Sequence, residues 1–166
     1  MRPMLPFTML AFAVLSLPAA AAEVPDAIAA RGEILVATVQ AVGAQVYECK
    51  ADANGKRVWQ FREPVATLVS GGETVGRHYA GPSWEMADGS IVTGKVAGRA
   101  PSATANDIPL LKLDVAQRRV RGQLSGITTI QRLNTKGGVA DGRCELEGAF
   151  LSVPYTADYA FYRKLD

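Results

Sequence analysis

The chain has 166 residues, 48% of them hydrophobic, which is enough for one domain with a real core and too few for two comfortable ones. Its 18 basic and 16 acidic side chains leave a formal charge of +2. An excess that small argues against nucleic acid as a partner, because phosphate binding needs a clustered surplus of Lys and Arg. Arg118, Arg119 and Arg121 form a small basic knot, but Asp114 lies close by and a solvated turn or strand end accounts for it.

Residues 1–22 read as a secretory signal peptide. Arg2 gives the positive start, 9–17 the apolar run, and Pro18 with the alanines 19–22 the break and cleavage region. The run is well short of the roughly 20 residues a spanning helix needs. Cleavage after Ala22 and export to the periplasm or the medium are therefore expected, with no membrane span in the mature chain. Residues 23–33 form an N-terminal extension, where 24–30 predicts a single helical turn begun at Pro25.

Beyond it, helical periodicity gives way to short β-rich runs. Residues 34–39 are one, and Val42-Gly43 is expected to turn the chain into the next, where Gln45, Tyr47 and Cys49 share a face. Asn54-Gly55 is a hairpin signal. The returning strand, 58–62, is expected to end at Pro64, with 66–69 leading into a Gly71-Gly72 turn. Residues 74–80 then place Val75 and Tyr79 on one face and His78 on the other. Gly81-Pro82 is expected to interrupt that strand before 83–86 resumes it, and Asp88-Gly89 turns the chain into 90–99, where Val92 and Val96 share a face and Lys95 points away. Residues 101–107 read as a polar, mobile loop. In 108–115, Leu111, Leu113 and Val115 face the core, while 127–133 is strand-like on both faces, as a central strand would be. Last, 151–161 puts Leu151, Val153, Tyr155, Ala157, Tyr159 and Phe161 on one face.

Eight to ten short strands with Gly, Asn and Asp turns predict an all-β domain over 34–166: a single-domain antiparallel β-sandwich or partly closed β-barrel with short hairpin connections. Both cysteines, Cys49 and Cys144, lie in the exported part, and an even pair in an oxidising compartment predicts a disulfide. Two distant cysteines and one histidine are too few for a structural zinc centre, and no cofactor motif is present.

Several stretches, in order, carry a resemblance: GAQVYECKA (43–51), GRHYAGPSWEMADGS (76–90), VTGKV (92–96), TTIQRLNTKGGVA (128–140) and VPYTADYAFYR (153–163). Together they resemble the DUF3455 family, exported bacterial and fungal proteins of unknown function. The resemblance implies export and one domain, with Cys49 inside a motif and Cys144 after the Gly-Gly segment. It implies no reaction and no catalytic residue.

Function is read from the densest chemical stretch, 75–96. His78 is the chain's only histidine, and an imidazole ordinarily titrates near neutrality, so the alternative reading is a small hydrolase or lyase in which Glu85 or Asp88 orients it as the base. No nucleophile elbow accompanies it, and Ser83 and Ser90 sit beside turns. His78 with Glu85, Asp88 or Asp158 forms no known metal-ligand spacing. Arg132 is expected to pair with Glu85 or Asp158. The favoured reading is a non-enzymatic binding surface built from His78, Tyr79, Trp84, Glu85, Asp88, Lys95, Arg132 and Asn134, taking a small-molecule, glycan or envelope ligand.

Overall fold

The computed structural model describes residues 24–119 and 121–165. The expected signal peptide lies outside them. Eight strands follow one short 3₁₀ turn, Asp26–Ile28: β1 Glu33–Ala51, β2 Arg57–Ser70, β3 Glu73–Tyr79, β4 Ser83–Met86, β5 Ile91–Ala100, β6 Leu110–Arg119, β7 Thr129–Gly137 and β8 Phe150–Lys164. Each pairs antiparallel with its successor, and β8 returns to β1 from Glu33↔Lys164 to Glu48↔Phe150. The sheet therefore closes into a ring, in which β2 pairs with β3 only over residues 66–70 and β5 with β4 only over residues 91–93.

Alternation along each strand fills the ring. Val39, Ala41, Leu68, Val92, Leu113, Ile130 and Phe161 are buried inside it. Each large aliphatic or aromatic side chain so buried contributes about 1.5–3 kcal/mol. Strand β7 is buried on its outer face too, where Thr129 and Gln131 lie. There the 3₁₀ turn lies against it: Ile28 is fully buried and its carbonyl accepts from Gln131 Nε2 at 2.5 Å. Thr129 Oγ1 donates to Glu33 Oε1 at 2.9 Å just beyond.

The structure revises four local expectations. Val42-Gly43 is no turn: β1 runs unbroken through it, and Gly43 pairs with both Ala66 and Tyr155. The hairpin lies at Asn54-Gly55, where Asp52 Oδ1 accepts from the Asn54 and Lys56 N–H groups. Pro64 does not end β2; it sits opposite Gln45, beside an irregularity at Arg62, a place that tolerates its missing N–H. After Gly81-Pro82 the chain reverses rather than resuming, so that Tyr79 pairs with Ser83 and His78 with Trp84. The 101–107 segment is tied down at Asp107, whose carboxylate accepts from Gly137 N–H at 2.6 Å and Thr104 Oγ1 at 2.8 Å.

Candidate functional site

In a ring of sequential antiparallel strands, alternate connections share an end. The β1–β2, β3–β4, β5–β6 and β7–β8 loops thus gather at one mouth. Below it lies a cavity of about 550 Å³. Pairing register explains which side chains reach it, since directly paired residues share a face. One row runs Ala66, His78, Trp84, Val92 across β2 to β5. Another runs Arg99, Leu111, Arg132, Tyr159 across β5 to β8.

The aromatic wall is built where the two rows meet. His78 and Trp84 stack with centroids 4.5 Å apart and planes 15° apart, and Tyr159 stands edge-on to Trp84 at 5.1 Å. All three are almost fully buried. His78 Nδ1 lies 2.8 Å from the Ser83 carbonyl, so that nitrogen carries the proton and donates. Nε2 then accepts from the Tyr159 hydroxyl at 3.0 Å. Burial drives the imidazole pKa down to about 3, outweighing the opposing pull of the Ser83 carbonyl, and the positive Arg132 pushes it the same way. Burial likewise raises the Tyr159 hydroxyl above its ordinary value. The histidine is a neutral, fully partnered wall residue.

Arg132 makes no ion pair with Glu85 or Asp158. Its Nε and Nη2 donate instead to the Pro109 carbonyl at 3.0 and 2.8 Å. Position explains the change, because Arg132 shares the inner face with Tyr159 whereas Glu85 lies outside.

Of the sequence-predicted site residues, the cavity gathers His78, Trp84 and Arg132. The others are elsewhere. Glu85 accepts from Arg77 at 2.8 Å and from the Tyr79 hydroxyl at 3.0 Å, and the Arg77 guanidinium holds its carboxyl below the usual range. Asp88 accepts from Ser90 Oγ at 2.6 Å and Gln123 N–H at 2.7 Å, pinning the far-end loop; the Ser90 hydroxyl leads in lowering its pKa. Lys95 is exposed opposite Asp114. Asn134 takes a left-handed φ of 49° and donates to Asp158 at 2.8 Å. Neither Glu85 nor Asp88 hydrogen-bonds His78, so the acid–imidazole pair of a small hydrolase is not assembled. Among the described residues, no group of three or more His, Cys, Asp or Glu side chains is placed to hold a metal ion.

Sequence reasoning missed Gln45, Phe61, Arg62 and Arg99, which also line the cavity. Tyr47, which shares a strand face with Gln45 and Cys49, is half-buried on the cavity wall and donates to the Gly138 carbonyl at 2.6 Å. Cys49 and Cys144 are joined, fastening the β7–β8 loop to β1 at this same end.

A family model described as a protein of unknown function, DUF3455, matches residues 29–163. No curated protein and no solved structure matches the chain.

Proposed function

The chain belongs to the DUF3455 family of unknown function, and on that premise we propose that it is an exported, non-enzymatic binding domain that takes a small molecule into the mouth of the ring. The observation that carries this reading is the cavity itself. Its roughly 550 Å³ falls in the range of small-molecule sites, and it combines stacked aromatics with a few directed polar groups. Its histidine is held neutral with both nitrogens engaged, and the neighbouring acids are committed elsewhere. That favours holding a ligand over transferring a proton. Export is supported by the disulfide, a bond that oxidising compartments maintain.

Thermal-shift measurements on the oxidised protein, across small metabolites, glycan fragments, short peptides and envelope lipids, test the reading. A saturating ligand is expected to raise Tm by several degrees. Trp59→Phe leaves Trp84 as the fluorescent reporter of entry. Leu111→Trp, which fills the cavity, is expected to abolish the response. Turnover of any compound in the panel, or responses that Leu111→Trp leaves intact, would overturn the proposal.

A further inference from the structure

We propose that the cavity selects a small organic anion, a carboxylate carrying an aromatic or aliphatic body; this rests on the reading of the cavity as a ligand site. Three arginines line it, Arg62, Arg99 and Arg132, and no Asp or Glu does. Arg62 is engaged by Glu63 at 3.1 Å and Glu48 at 3.9 Å. Arg99 and Arg132 form no ion pair among the described residues. Two unneutralised guanidinium groups on one concave, partly apolar wall concentrate positive potential where a ligand would enter.

Their placement is built into the sheet. Leu113 pairs with Val96 and Leu111 with Arg99, so β5 spends one extra residue, Ala97, between two inward positions. Such a bulge re-aims the side chains that follow it. Arg99 thereby joins Val96 on the inner face. Arg99, Leu111 and Arg132 then occupy three successive strands in direct register. Adjacent strands lie about 4.8 Å apart, so the two arginine backbones are about 10 Å apart, within reach of one head group. Arg132 is held by its two bonds to the Pro109 carbonyl, which fix the guanidinium plane and leave its remaining N–H groups to a ligand.

Both His78 nitrogens and the Pro109 carbonyl are already engaged within the protein, which leaves the arginines as the charged groups facing a ligand. Phe61, Val96, Ile108 and Leu111 supply apolar surface for its body.

Calorimetric titration of the oxidised protein with 2-naphthoate and octanoate, beside 2-naphthamide and octanamide, tests this. Each acid is expected to bind at least about tenfold more tightly than its amide, and the advantage shrinks in roughly 0.5 M salt. Arg99→Gln and Arg132→Gln should each remove most of that advantage, lowering the affinity of the acids severalfold more than that of the amides. Equal binding of acid and amide, an advantage that survives the double variant, or inorganic phosphate competing as well as naphthoate would overturn the assignment. If the acids fail while neutral compounds still raise Tm, the anion inference falls alone. If nothing binds, both readings fall.

Discussion

Between Trp84 and Tyr159, the His78 ring makes one hydrogen bond from each nitrogen, and its charge state is thereby tied to folding. Its pKa falls from an ordinary 6.5 to about 3, chiefly through burial. Between those values the unfolded chain binds a proton that the folded one refuses. This contribution is fully present above pH 6.5 and is lost as pH falls toward 3, with a slope approaching about 1.4 kcal/mol per pH unit. Urea midpoints from pH 6.5 to 5.5, above the carboxylate range, should therefore fall in the native protein. His78→Gln keeps a donor for Ser83 and an acceptor for Tyr159 but cannot titrate, so its midpoint should stay level. Equal slopes in the two proteins would refute the linkage. Tyr159→Phe makes a separate case: it strands His78 Nε2 in the interior and should cost about 1–3 kcal/mol at neutral pH in the same assay.

At the scale of strands, the decisive features are places where regular alternation breaks. Gly43 lies where β1 is clasped between β2 and β8, and a Cβ there would overlap the Val65 carbonyl oxygen and stand 2.7 Å from the Ala66 Cβ. Gly43→Ala should cost about 2–3 kcal/mol in urea unfolding with little change in m. Gly126→Ala meets nothing within 4 Å and should be close to neutral, which separates crowding from a general glycine effect. Such contacts explain how far the sequence could be read. The turns at Asn54-Gly55, Gly71-Gly72 and Asp88-Gly89, and the inward set from Tyr155 to Phe161, follow from local chemistry and period two. Gly43 and Pro64 resemble breakers locally, and only the neighbouring strands show why each is tolerated mid-strand. Arg99 was illegible for a related reason: counted by twos from Val92 it falls on the outer face, and the extra residue at Ala97 reverses that parity. His78 and Trp84 were found because they stand close in sequence, whereas Arg132 needed the β7–β8 register to bring it to the same wall.

For the molecule as a whole, closure depends on the first and last strands meeting, and the disulfide acts on the loop that leads into the last. It spans 95 residues and draws Cys144 of the β7–β8 loop to Cys49 of β1. The loop is also held by Gly148 N–H donating to the Cys49 carbonyl at 2.9 Å, Cys49 N–H donating to the Ala149 carbonyl at 2.8 Å, and Tyr47 donating to Gly138. Two effects should follow from removing the bond, and they are separable. The unfolded chain regains freedom, so Cys49→Ala with Cys144→Ala should lose about 2–5 kcal/mol of stability. The native ring keeps its continuous β1–β8 ladder, so the far-ultraviolet spectrum below the melting transition should not change. Binding is the more discriminating readout. If the loop only covers the mouth, the double variant well below its Tm should bind as the native protein does, because Arg99, Arg132 and Trp84 stand on strands the bond does not touch. If the loop positions Tyr47 and Gln45 for the ligand, affinity should fall severalfold at full folding. The Tyr47–Gly138 bond, and the close approach of Gly138 to the Gln45 side chain, argue for the second outcome. Undiminished affinity in a folded double variant would restrict the disulfide to stability.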